Sequence, residues 1–258
     1  MKITKRSLRE SRSGQVLIIT SLIVVMLLLS TVIYVDETEK DVPIYKPDGN
    51  ASLSAIKQAA VHTLISALAN ITNGGTSSVL TEDLIQFKAI AESHSYDAFS
   101  ELGFTTYNEP PYTNGTLLSW GEDGQGISSI DVAFTLNSSG IQGSYSSNYS
   151  VNLTTSINVG GEVNNQSGSL LVTVSCTLLN EGNSASAQNL AVYYKQDNPG
   201  GWVPTSPSLI SFGNGTYVAS FAAQNATLTL LPVSVGCIDA RGVTVWANAS
   251  LYHGAGSS

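Results

Sequence analysis

The spacing of hydrophobic positions changes character three times along the chain. Residues 16–35, VLIITSLIVVMLLLSTVIYV, form an apolar run without a single charge. About 20 apolar residues at ~1.5 Å rise match the ~30 Å hydrocarbon core of a bilayer, so one membrane-spanning helix is predicted over 15–35. Past residue 52 the spacing becomes helical: Ile56, Ala60, Leu64, Ala67 and Ile71 recur at four- and three-residue intervals, and Asn73-Gly74-Gly75 ends the segment. A second helix is predicted from Thr81 as N-cap, with Glu82 and Asp83 near the positive end of its dipole. Its apolar stripe is Leu84, Phe87, Ala91, Ala98 and Leu102, and His94 on the same side reads as a structural residue. Residues 52–103 therefore read as a helical hairpin, too thin to bury a core without a larger body to pack on.

From Leu117 to Tyr252 the period is two. Ile130, Val132, Phe134 and Leu136 alternate with Asp131, Ala133 and Thr135, and Leu170, Val172, Val174, Cys176 and Leu178 form a second inward row. Tyr217, Ala219 and Phe221 form a third. Gly, Asn and Pro at 121–126, 160–168, 180–186, 198–201 and 213–215 are expected to separate the runs. Many short strands, each buried on one face, predict an antiparallel β-sandwich over 117–252.

Charge orients the chain. Lys2, Lys5, Arg6, Arg9 and Arg12 precede the apolar run against Glu10 alone, while Asp36, Glu37, Glu39 and Asp41 follow it. The positive-inside rule keeps residues 1–14 cytoplasmic as a basic leader and exports the rest, a single-pass topology in which the helix meets membrane lipid. Residues 36–51, with Pro43 and Pro47, read as an acidic extended stalk, because proline disfavours helix in the residue before it. Gly14-Gln15, between charged leader and apolar run, resembles the class III signal peptides of type IV pilin-like proteins, archaeal ones above all. That resemblance implies cleavage after Gly14, a mature chain starting at Gln15, and a helix that packs with other pilin-like subunits in a filament. The fifth mature position, a Glu in the commonest pilin pattern, is Ile19 here. An uncleaved signal anchor is the other reading of the same segment.

Only 12% of residues are charged, and beyond Pro47 the basic residues are Lys57, Lys88, Lys195 and Arg241, against fourteen Asp and Glu. Such an exterior excludes nucleic acid as a partner, since phosphate affinity needs clustered Lys and Arg. So little charge leaves the surface dependent on another source of hydration. Ten N-x-S/T sequons offer one, at Asn50, Asn70, Asn114, Asn137, Asn148, Asn152, Asn165, Asn214, Asn225 and Asn248. Over 148–159, Tyr149, Val151, Leu153, Ile157 and Val159 share one parity and Asn148, Asn152 and Asn158 the other. Asn248 likewise opposes Val245, Ala247, Ala249 and Leu251, so these acceptors are expected on the wet face of strands.

Asn180-Glu181-Gly182 followed by AQNLAVYY at 187–194 resembles the Ig-like modules of prokaryotic surface proteins, where an N-x-G turn links a strand to one ending in apolar and aromatic residues. Gly213-Asn214-Gly215-Thr216-Tyr217 and Asp239-Ala240-Arg241-Gly242-Val243-Thr244-Val245 are similar to the later hairpins of such a module. The resemblance covers about 168–252 and implies an Ig-like β-sandwich with a role in adhesion or spacing. The expected fold class is thus α+β: one transmembrane helix, a helical hairpin, then an antiparallel Ig-like β-sandwich. Cys176 and Cys237, the only cysteines, both have inward parity, and an oxidising exterior predicts a disulfide between them.

Catalytic patterns are absent from the sequence. His62, His94 and His253 have no metal-ligand spacing, and there is no GxSxG elbow, P-loop or dinucleotide fingerprint. No cofactor or metal is expected, and Gly121-Glu122-Asp123-Gly124-Gln125-Gly126 reads as a hairpin turn before it reads as a calcium loop. Trp120, Trp202, Trp246 and Tyr252 are candidates for a carbohydrate-stacking surface, with Trp246 on the outward parity of Asn248. The expectation is a non-enzymatic, membrane-anchored surface glycoprotein with a structural or adhesive role. The alternatives are a pilin-like filament subunit and a surface carbohydrate- or solute-binding module.

Overall fold

The computed structural model describes residues 49–93, 98–121, 123–140, 143–166, 169–196, 201–224 and 230–252. The basic leader, Gly14 and Gln15, the apolar run and the stalk up to residue 48 lie outside the described residues, as do His94, Glu122, Asn225 and His253. No described helix is long and apolar enough to cross a membrane. The described chain is α+β and mostly strand: two helices followed by antiparallel sheets.

Helix α1 (Gly49–Thr72) buries the stripe that its spacing predicts, with Ala60, Leu64, Ala67 and Leu68 almost wholly covered. Gly74, at φ 99°, reverses the chain behind it, and its N–H donates to the Ile71 carbonyl. Helix α2 (Ser78–Ser93) starts before Thr81, which lies exposed inside it. Thr76 opens the helix instead, its carbonyl accepting from the Val79 N–H and its hydroxyl meeting that of Ser78 at 2.7 Å. The helix also stops short of the predicted end, since Ala98–Thr106 is strand β1. Leu102 fits a helical stripe by number, but Gly103, Thr105 and Thr106 are poor helix formers, and the neighbouring edge of β3 (Gln125–Gly140) supplies the ladder that a strand needs.

Among the described residues the large sheet runs β1, β3, β4 (Gly143–Gln166), β5 (Ser169–Asn180), β10 (Thr216–Ala223), β9 (Ser208–Ser211), with β2 (Thr116–Trp120) beside β3 and β6 (Asn183–Ser184) beside β5. Strands β5, β9 and β10 form its far side. The small sheet runs β12-β11-β7-β8, from β12 (Thr244–Tyr252), β11 (Leu230–Asp239), β7 (Ala187–Lys195) and β8 (Trp202–Pro204). Glycine-bearing turns stand at all three places, though the first joins β5 to β6 and not to β7, which pairs in the small sheet. Glu181 and Gly182 both take positive φ in the two-residue β5–β6 loop, and Gly213, Gly215 and Gly242 do so in the β9–β10 and β11–β12 turns.

Strand β4 organises the rest. It runs straight through Gly160-Gly161, where the sequence suggests a break. A Cβ on Gly161 would stand 2.2 Å from the Thr173 carbonyl oxygen of β5, so the glycine marks close approach inside the sheet and not a turn. One face of the β3–β4 ribbon carries two cores in succession. Phe134, Val132, Ile130 and Leu153 pack against the helices together with Leu64, Leu80 and Leu84. Farther along, Ile157 and Val163 join Val172, Val174, Tyr217 and Phe221 against Val192, Val233, Val235 and Val245 of the small sheet. Burying each such side chain contributes roughly 1.5–3 kcal/mol, and the ribbon supplies the larger body that the helices need to pack on.

The seam between the cores is polar. Thr155, wholly buried between Leu153 and Ile157, donates to Asp239 Oδ2 and accepts from Arg241 Nη2. Arg241 also pairs with Asp239 at 3.0 Å and with Glu181 at 2.8 Å. Burial works against its charge, but the bonds to Glu181 and Asp239 outweigh that and hold its pKa above the ordinary value. The end of α1 docks on the same turn: the Thr244 N–H donates to the Thr72 hydroxyl and Asn73 Nδ2 to the Gly242 carbonyl.

Candidate functional site

The outer face of the small sheet alternates with its core. Val192 and Tyr194 point inward on β7, so Tyr193 points out; Val233 and Val235 do the same on β11 around Ser234. The ladder then sets Asn248 opposite Ser234 and Ser234 opposite Tyr193. Trp246 pairs with Gly236, and its six-membered ring lies directly over that glycine, where a Cβ would come within 2.7 Å of three ring atoms. Trp202 enters from β8, which pairs through Lys195, and Trp120 from the end of β2.

All three tryptophans of the chain thereby meet around one cleft of about 430 Å³, lined by Trp120, Tyr193, Trp202, Ser234, Trp246 and Asn248. Tyr193 and Trp246 stand 5.8 Å apart, tilted by 44°. The Trp120 indole N–H donates to Ser128 Oγ, which in turn donates to the Thr244 carbonyl, so this tryptophan is tied to the β3–β12 crossing. A Cβ on Gly126 would fall 2.0 Å from the Trp246 carbonyl oxygen, which is how closely β12 lies on β3 there. Among the described residues that line the cleft none is charged, and Ser234, Asn248 and the Tyr193 hydroxyl are among its hydrogen-bonding groups. A volume in the ~300–1,000 Å³ range, with aromatic walls and few polar groups, suits a neutral ligand with apolar faces.

Of the four candidate aromatics the structure brings Trp120, Trp202 and Trp246 together. Tyr252 is 75% exposed and does not line the cleft; Tyr193 takes the fourth place. Its outward parity between Val192 and Tyr194 was the available signal, but only the order of strands shows that β7 lies two ladders from β12. The Gly121–Gly126 stretch makes the β2–β3 turn, in which Asp123 Oδ1 accepts the Gln125 N–H. Backbone bonds from Gly124 to the Asn248 carbonyl and from Asn248 to the Gly121 carbonyl cover the open edge of β12. Among the described residues no three His, Cys, Asp or Glu side chains are grouped to hold a metal ion.

Cys176 and Cys237 do meet between the sheets, both buried, but as two free thiols and not as the disulfide that the sequence suggests. Cys237 donates to Cys176, and that bond together with burial pushes its pKa up. The sequon asparagines Asn70, Asn114, Asn137, Asn148, Asn152, Asn165 and Asn214 are exposed, and Asn248 is half-buried in the cleft. Asn50 lies in the first turn of α1. Their local states differ. Thr72, the hydroxyl residue of the Asn70 sequon, is buried and donates to the Leu68 carbonyl. Asn152 Nδ2 donates to Asp131 and to the Tyr112 hydroxyl. Among the described residues the Asn248 side-chain amide has no hydrogen-bond partner.

Compared with protein families, curated proteins and solved structures, the chain matches none.

Proposed function

We infer that this protein is a non-enzymatic, single-pass cell-surface glycoprotein, held by residues 15–35 with its N-terminus cytoplasmic, that displays an Ig-like β-sandwich outside the cell in a structural or adhesive role. The observation that carries this reading is the placement of the acceptor asparagines. Asn137, Asn148 and Asn152 lie on the face of the β3–β4 ribbon that neither helices nor small sheet cover, and Asn114 and Asn214 lie at turns. A surface so poor in charge is hydrated well if those positions carry sugar. The test is intact mass and N-terminal sequencing of the protein from the membranes of cells that make it. A glycosylated chain starting near Met1 supports the anchored reading. A mature chain starting at Gln15 assigns the helix to a pilin-like filament instead, and an unmodified chain in the cytosol refutes the proposal.

The aromatic cleft favours a second reading, a module that binds carbohydrate or a neutral solute in trans. Its test is Trp246→Ala, which would abolish binding to a glycan array, with circular dichroism checking that the variant keeps its fold.

A further inference from the structure

We propose that Asn248 carries an N-linked glycan and that the aromatic cleft is the seat of that glycan's first sugars. The proposal rests on the surface-glycoprotein reading and adds to it a particular acceptor and a receptor within the same chain. Trp246, Asn248 and Ser250 stand on the outward face of β12, with successive members about 7 Å apart along the strand. The indole therefore sits beside the amide that would bear the sugar. The register places Asn248 in the middle of the cleft, across from Ser234 and Tyr193.

Three observations single out this sequon. Its amide has no partner among the described residues, unlike that of Asn152. Its hydroxyl residue, Ser250, is exposed, unlike Thr72 of the Asn70 sequon. Its surroundings offer stacking surface that is already paid out in the fold: Gly236 makes room for the Trp246 ring to lie flat, leaving the other face of the indole toward the cleft. A pyranose has an apolar C–H face and an equatorial rim of hydroxyls. The indole takes the first, and Ser234 and the Tyr193 hydroxyl take the second. The lack of charge among the described lining residues fits a neutral sugar.

The donor is an oligosaccharide linked to a lipid phosphate or diphosphate. The Asn248 Nδ2–C1 bond forms as the C1–O bond to phosphate breaks, the lipid phosphate leaves with the bonding electron pair, and one amide proton is released. No oxidation state changes.

The experiment compares full-length protein from its own host with Asn248→Gln from the same host, and with the unaltered sequence made in a host without N-glycosylation. Mass mapping reads the tryptic peptide that begins at Gly242 and contains Asn248. Acrylamide quenching reads the cleft, because every tryptophan of the chain lines it. The expected result is a sugar mass on that peptide and a quenching constant about two-fold higher in both samples that lack sugar at position 248, since a seated ligand is largely enclosed. Sugar on other sequons with none on Asn248 overturns the proposal and leaves the surface-glycoprotein reading standing; no sugar anywhere overturns both. Sugar on Asn248 with unchanged quenching overturns the seat in the cleft. An unmodified Asn248 whose tryptophans become protected when free oligosaccharide is added assigns the cleft to a ligand in trans, and also overturns it.

Discussion

Asp239→Ala is the sharpest probe of how the two cores are joined. The Asp239 side chain is wholly buried. Its Oδ1 accepts from the backbone N–H groups of Arg241 and Val243, each at 2.9 Å, and its Oδ2 from Arg241 Nε at 3.0 Å and Thr155 Oγ1 at 3.1 Å. Truncation leaves two backbone donors without an acceptor and a guanidinium, only 18% exposed, without its buried partner. Breaking a buried pair from one side costs about 3–5 kcal/mol, which already includes much of the loss from the stranded donors. A fold of this size loses roughly 2–4 °C per kcal/mol, so the midpoint should fall by roughly 6–20 °C. Asp239→Asn keeps an acceptor for the two backbone groups but turns an amide toward a donor, and should cost about 1–3 kcal/mol. Glu181→Gln, on the more exposed side of the same arginine, should cost under ~1 kcal/mol. Urea unfolding of the full-length protein in mild detergent, followed by tryptophan fluorescence, ranks the three. If Asp239→Ala costs no more than Glu181→Gln, the buried network is not what fastens the β11–β12 turn to the β3–β4 ribbon.

Other expectations are independent of that seam. Gly126→Ala sets a Cβ against the Trp246 backbone, which cannot move by a rotamer change, and should cost over ~2 kcal/mol; Gly160→Ala meets nothing within 4 Å and should be neutral or slightly stabilising. Equal midpoints for the two would refute the close packing of β12 on β3. Oxidation of Cys176 and Cys237 should join them and close a loop of about 60 residues, adding roughly 4 kcal/mol. Alkylation under denaturing conditions before and after reduction checks this, and two alkylatable thiols in protein from an oxidising exterior would count against it. Strand β9 exposes Leu209 and Ile210 on a sheet edge, and no charged residue occurs between 201 and 238. Ile210→Lys should change stability by under ~0.5 kcal/mol yet reduce self-association seen by light scattering. Unchanged scattering would show that the edge is not what associates.

The sequence by itself determined which faces are wet and which are dry. Period-two alternation assigned Ile130, Val132, Phe134, Val172, Val174 and Tyr217 to the core and Asn148 and Asn152 to solvent, because side chains on a strand alternate whatever the partner. Glycine-bearing turns were equally legible, since positive φ has few other sources. What the spacing could not supply is the partner of each face. Leu102 satisfies a helical stripe and a strand alternation alike, and the open edge of β3 decides for the strand. Gly160-Gly161 has the composition of a turn, and only the neighbouring β5 backbone shows that Gly161 is needed for close contact. The cleft is the strongest case. Trp120, Trp202 and Trp246 are distant along the chain, and each taken alone is an ordinary aromatic on a strand. Strand order and register, which depend on long-range pairing and not on local preference, bring them together with Tyr193 around Asn248.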